Sequence, residues 1–200
     1  MAADKDYLGL PLAAFLADLA AKSPTPGGGS VAALVGALAA AQARMVVEYT
    51  IGKPRSAEHD SRLREVLAEL TRGQDMFRQL MSEDMAAYER YAAARKSGDP
   101  DERQRALATA TAVPTEIVAL ATAVLACLDE IRSLVNPHLA SDLRVAAVLA
   151  LAVARSAAFN VRVNLGELAD QREAEGLSQQ VDRLLRRAGE HCSAVTGEAE

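Results

Sequence analysis

Helix breakers in this chain fall in a few tight clusters set far apart, and that spacing limits the fold more than any other feature. The clusters are Ser23-Pro24-Thr25-Pro26-Gly27-Gly28-Gly29-Ser30, Gly52-Lys53-Pro54, Ser97-Gly98-Asp99-Pro100 and Asn136-Pro137. Proline fixes φ and removes a donor, and glycine frees the backbone, so none of these segments continues a regular element. Between them apolar residues recur every three or four positions. Leu63, Val66, Leu67, Leu70, Phe77, Leu80, Met81, Tyr88 and Tyr91 form one such row, the mark of an amphipathic helix. The pattern predicts helices over 12–21, from Ser30 (as N-cap) to the Gly52 cluster, over 57–94, over 101–134 with Pro114 inside, over 141–168 and over 177–195. No strand pattern competes. The expectation is all-α: one domain over 1–200, a multihelical bundle of long helices, antiparallel between neighbours.

Composition supports close helix packing. Half the residues are apolar, only 4% are aromatic, and Trp is absent. Much of the apolar content is Ala, the strongest helix former and small enough for close approach. The net charge of −5 is spread in both signs, with no basic stripe, which argues against nucleic acid as a partner. Cys127 and Cys192 make neither a C-x-x-C motif nor a disulfide framework, as expected of a cytoplasmic protein. No signal peptide is apparent. The most apolar run, 31–43, is shorter than the roughly 20 residues that span a bilayer, so no membrane is expected. His59, His138 and His191 lack ligand spacing, so no metal site is expected either.

Several polar residues stand where their neighbours are apolar. Gly27, Gly28, Gly29 and Ser30 open a helix, where free N–H groups suit an anion. No Lys-Ser/Thr pair follows, so this is not a phosphate-binding P-loop, and a tight turn explains the glycines equally well. Asp84 extends the stripe of Phe77, Met81, Tyr88 and Tyr91. A carboxylate there needs a partner, either an Arg or Lys in a structural ion pair or a ligand. Asp142 falls in the first turn of its helix, a favourable place for any acid. It also leads a stripe through Ala146, Leu149, Val153 and Ser156 that ends in Asn160, with Asn164 a turn beyond. Eighteen positions separate Asp142 from Asn160, about 27 Å of helix. One small ligand does not span that, but a two-fold dimer could join the two ends. Lys53 sits in a loop, where most lysines are simply solvated.

These positions carry a resemblance. Ser23 to Leu34 around the PGGGS sequence, Thr50-Ile51-Gly52-Lys53, Glu83 to Tyr88, Val113-Pro114, Asn136 to Asp142, and Asn160 to Leu165 occur in the order seen in the cyclodeaminase/cyclohydrolase family. This family includes the C-terminal domain of formiminotransferase-cyclodeaminase and free-standing methenyltetrahydrofolate cyclohydrolases. The resemblance implies a helical homodimer that acts on a tetrahydrofolate derivative without a metal or redox cofactor. It implies that Pro26, Gly27, Gly28, Gly29, Ser30, Asn136, Asn160 and Asn164 bind substrate. Asp142, then Asp84, would serve as the catalytic carboxylates, with Lys53 binding the tail or protonating the leaving group. The family commonly has Asn where His138 stands, and further lysines where this chain has Pro54-Arg55.

Two reactions of the family meet at one cation, the methenyl bridge between N5 and N10. A cyclohydrolase adds water to it, giving the 10-formyl compound. A cyclodeaminase forms it from the 5-formimino compound with loss of ammonia. The first is the expectation here and the second its alternative. A non-catalytic folate-binding subunit is a third reading of a different class.

Overall fold

The breaker clusters fall at the helix ends. In the computed structural model, which describes residues 5, 7–54 and 56–198, the helices are α1 Leu12–Leu19, α2 Gly28–Thr50, α3 Asp60–Ser97, α4 Pro100–Ile131, α5 Ala140–Leu165 and α6 Gln171–Thr196. Single 3₁₀ turns, Ala57–His59 and Pro137–Leu139, lead into α3 and α5. No strand occurs among the described residues. Arg55 lies outside them.

The ends follow local chemistry. Gly98 takes a left-handed φ of 78° after α3. Asp99 then caps α4 by accepting from the N–H groups of Asp101 and Glu102, with Pro100 at the first helical position. Asp170 caps α6 in the same way. One predicted boundary needs correction. Ser30 is not the N-cap of α2, because the helix starts three residues earlier than that cap implies, at Gly28, and Gly27 is its cap.

The helices α2, α3, α4 and α5 close a ring of neighbouring contacts, and α6 packs against α4 and α5. Contacts fix the directions. Ser30 meets Asp84 and Arg44 meets Gln74, so α2 and α3 run antiparallel. Gly28 lies beside Asn160 and Gln42 bonds Asp142, so α2 and α5 are antiparallel as well. A Cβ on Gly36 would stand 2.5 Å from the Phe77 ring. Only glycine lets the large aromatic of α3 lie this close to α2.

The core is built from Leu63, Val66, Leu70, Phe77, Ile117, Val118, Leu125 and Leu128 against the alanines of α2 and α5. By length and composition, α2, α4 and the stretch Pro137–Leu165 each match a membrane span. The run at 31–43 falls short of that only because it stops at the first charged residue, Arg44. A helix carries isolated polar residues and remains apolar on average. About half of each span-like window is buried inside the fold.

Candidate active site

One cleft, of about 340 Å³, opens where α2 begins and α5 ends. Its walls come from four helices and the loop before α2. Gly27, Gly28 and Gly29 form one side, Asp84, Tyr88 and Tyr91 of α3 another, and Ala110 and Pro114 of α4 the floor. Asn160, Val163, Asn164 and Glu167 complete it. The loop reaches it through a cis peptide between Thr25 and Pro26, and Pro26 is buried.

Asp84 is set against the start of α2. The Ser30 hydroxyl donates to its Oδ2 at 2.8 Å, and the Ser30 backbone N–H donates to the same carboxylate. A Cβ on Gly29 would lie 1.9 Å from Oδ1 and 2.5 Å from Cγ. The glycine therefore makes the space the carboxylate occupies. The helix N-terminus does receive an anion, and that anion is a side chain of this chain. This also explains the displaced cap: Ser30 sits inside the first turn, where its hydroxyl faces α3. Burial pushes the Asp84 carboxyl above the ordinary aspartate range, and the two Ser30 hydrogen bonds pull only partly against it. Its partners are Ser30 groups rather than the Arg or Lys of a structural ion pair.

Pro114 has a specific consequence. Proline cannot donate to the carbonyl four residues back, which is that of Ala110. The Asn164 amide fills the vacancy, with Nδ2 donating to the Ala110 carbonyl at 2.9 Å. All three residues line the cleft. The freed carbonyl orients Asn164 and leaves its Oδ1 as the acceptor. Across the cleft, Tyr91 donates to Glu167 at 2.7 Å, and Arg103 donates to the same oxygen at 2.9 Å. These two donors hold the Glu167 carboxyl below its usual range. Burial, then Glu167, pushes the Tyr91 phenol up.

Chemically, this is a cleft of carboxylates, amides and phenol rings. Among its described lining residues there is no Lys or Arg. It suits a flat ligand with a delocalised positive charge.

The remaining predicted residues lie elsewhere. Lys53 and Asn136 line a second cleft of about 380 Å³, with Thr50, Ser56 and His138, where α2 ends and α5 approaches. There Asn136 accepts from the His138 N–H, and its own N–H donates to the Thr50 hydroxyl. Those bonds make Asn136 a cap for the turn into α5. Asp142 accepts from the Gln42 amide at 2.8 Å and lines neither cleft. Helix α2, 23 residues or about 34 Å long, separates the two ends.

Tyr91 and Glu167 join the first cleft without having been singled out. Tyr91 had a signal, a polar tip on a buried stripe. Glu167 had none, because it follows the end of α5 and depends on the turn there. Among the described residues, no three of His, Cys, Asp or Glu converge as metal ligands would.

Comparison with known proteins agrees with this fold. The family model described as formiminotransferase-cyclodeaminase matches residues 11–183. A methenyltetrahydrofolate cyclohydrolase of Methylorubrum extorquens is 34% identical, over 88% of both chains. The formimidoyltransferase-cyclodeaminase of Gallus gallus is 32% identical over 96% of this chain, which spans only 37% of that relative's length. A crystal structure of a formiminotetrahydrofolate cyclodeaminase from Thermotoga maritima superposes with a TM-score of 0.92 at 28% identity, covering 95% of this chain and 96% of that one. The chain belongs to the formiminotransferase-cyclodeaminase family.

Proposed function

We propose that the chain is a methenyltetrahydrofolate cyclohydrolase, adding water to 5,10-methenyltetrahydrofolate to give 10-formyltetrahydrofolate. The observation that carries this reading is Asp84, a largely buried carboxylate held by Ser30 in a cleft whose described lining has no fixed cation. The methenyl cation lies beside it, with the rings against Tyr88 and Tyr91 and the pterin edge on Asn160 and Asn164. Such an electrostatic contact stabilises charge where the reaction concentrates it.

Water attacks the methenyl carbon and forms a C–O bond. Its proton passes to Asp84, whose affinity for protons burial raises above that of an ordinary aspartate. The carbinol hydroxyl then gives up its proton as its C–O bond becomes the formyl C=O, the bond from that carbon to N5 breaks, and N5 takes a proton while the formyl group stays on N10; the proton held by Asp84 is released to solvent. No metal or redox cofactor is needed. We place the enzyme in the cytoplasm as a homodimer.

Cyclohydrolase is put first because the free-standing Methylorubrum relative matches this chain over 88% of both. The bifunctional Gallus gallus relative is covered over only 37% of its length. Formiminotetrahydrofolate cyclodeaminase is the second reading, favoured by the Thermotoga neighbour's match over nearly all of both chains. It uses the same cleft in the opposite sense, forming the methenyl cation by N10 attack with ammonia leaving.

The test is to offer wild-type protein each substrate in turn. Enzyme-dependent decay of the methenyl absorbance is expected. Appearance of that absorbance with ammonia from the 5-formimino compound would replace the first reading by the second. Tight binding with neither reaction would leave a folate-binding subunit.

A further inference from the structure

Glu167 is held more firmly than a surface carboxylate requires. Tyr91 Oη donates to its Oε2 at 2.7 Å, and Arg103 Nη2 donates to the same oxygen at 2.9 Å. Its backbone is tied as well. Gln104 Nε2 donates to the Glu167 carbonyl at 3.1 Å, and Gln104 Oε1 accepts from the Ala169 N–H at 3.0 Å. One α4 side chain thus clips both sides of the turn after α5. The Arg103 and Glu167 side chains are 43% and 41% exposed, and an ion pair that exposed adds little to stability. What the bonds do is fix the carboxylate. Both side-chain donors take Oε2, and among the described residues none takes Oε1.

The cleft has two ends. At one, Asp84 and Asn160 meet the start of α2, at Gly29 and Gly28. At the other, Tyr91 bonds Glu167. Seven positions separate Asp84 from Tyr91, and seven separate Asn160 from Glu167, about 10 Å along a helix. A two-ring pteridine with a hydrogen bond at one end and a charge contact at the other also spans on the order of 10 Å. Asn164 stands one turn before Glu167. The Ala110 carbonyl holds its Nδ2, so Oδ1 is what it offers the cleft. The Tyr91 hydroxyl is committed to Glu167. This end of the cleft therefore presents two fixed acceptors, Asn164 Oδ1 and Glu167 Oε1.

We propose that Glu167 Oε1 and Asn164 Oδ1 receive the 2-amino and N3–H donors of a 2-amino-4-oxopteridine, and that Glu167 is the residue that selects this ring. The inference rests on the folate reading and gives the substrate a direction. The donor edge lies at Glu167, and the opposite side of the ring, with N5 and the methenyl carbon, lies at Asp84. The match is chemical. That edge carries neighbouring N–H groups that point the same way, as a guanidinium does, and such a fork pairs with acceptors set side by side. The two carboxylates of the cleft then have separate roles. Tyr91 and Arg103 hold Glu167 below its usual range, so it stays ionised and only accepts. Burial holds Asp84 above its range, which suits it to take a proton.

The test compares tetrahydrofolate with its 2-desamino-2-methyl counterpart, which lacks the amino donors. Calorimetry reads binding of the two, and methenyl decay reads turnover of their 5,10-methenyl forms. Wild type should bind the natural ring about 10- to 100-fold more tightly. Glu167→Gln should lose most of that preference. Tyr91 and Arg103 are donors, so the new amide turns its oxygen to them and its NH2 to the cleft, where donor meets donor. KM for the natural substrate should rise by a similar factor and kcat should change much less. Tyr91→Phe loosens the clamp but keeps the carboxylate; it should raise KM several-fold and keep the preference. A wild type indifferent to the amino group, or a folded Glu167→Gln protein with the full wild-type preference, would overturn the proposal, and normal methenyl decay beside either result would leave the folate reading standing. Preference for the amino ring without turnover of any folate would support the role of Glu167 and refute the reaction. A wild type that binds neither ring would overturn both.

Discussion

Gly29→Ala should damage this protein far more than its neighbours' identical changes, for one geometric reason. The new Cβ would lie 1.9 Å from Asp84 Oδ1 and within 2.8 Å of Oδ2, so the carboxylate must leave. It then loses the hydroxyl and N–H donors of Ser30. Hydrogen bonds to a charged group are each worth about 1.5–3 kcal/mol, against a helix-propensity gain for Ala of at most about 1 kcal/mol. Losing both leaves a net loss of about 2–6 kcal/mol, which corresponds to a fall in Tm of roughly 4–24 °C for a chain of this size. Turnover should fall about 100-fold, the scale expected when a reacting group is misplaced by about 1 Å. At Gly28 the same Cβ would meet the Asn160 amide at 3.4 Å, and at Gly27 it would meet nothing within 4 Å. Gly27→Ala and Gly28→Ala should therefore stay near wild type in Tm. Thermal unfolding and methenyl decay, measured on all three, read both effects. A Gly29→Ala protein with wild-type Tm and rate would refute the placement of Asp84 on the helix N-terminus.

Burial raises the Asp84 pKa on folding, so its contribution to stability is present below the unfolded pKa and is lost as pH rises through the folded one. Asp84→Asn should accordingly raise Tm at pH 7, and the gain should shrink on acidification; a pH-independent difference would contradict the sign. Pro114→Ala restores a donor for the Ala110 carbonyl and displaces Asn164 from it. Its KM should rise several-fold while Tm holds or increases, as steady-state kinetics and melting would show. The Cys127 thiol, pushed up to about 12 by burial and by Glu69, should resist alkylation at pH 8 until the chain is unfolded; mass spectrometry of labelled native protein reads this.

The sequence was most informative where local chemistry decides. Asp99-Pro100 and Asn136-Pro137 mark ends because their caps and turns use nearest neighbours. The start of α6 was missed by six residues, since Gln171 to Gly176 has no apolar rhythm and only the Asp170 cap announces it. The start of α2 was placed too late because Ser30 is a good N-cap by composition. Its hydroxyl is committed instead to Asp84, 54 residues away, a contact no local rule contains. Stripe reasoning found Asp84 because a carboxylate interrupts a core-facing row. It could not separate Asp84 from Asp142, since both stand on such rows. Only the fold shows that one occupies the cleft and the other bonds Gln42 at the far end. Glu167 reaches the cleft through the turn after α5, which periodicity does not describe.

The most direct measurement is kcat for methenyltetrahydrofolate decay by wild type and Asp84→Asn at neutral pH, with substrate affinity followed in parallel. Loss of a base or a charge partner at the reacting cation costs on the order of 100-fold or more in kcat. A drop of that size, with folding and binding retained, is the expected result. An Asp84→Asn enzyme that keeps its wild-type kcat would show that the carboxylate at the start of α2 is structural and that the chemistry lies elsewhere.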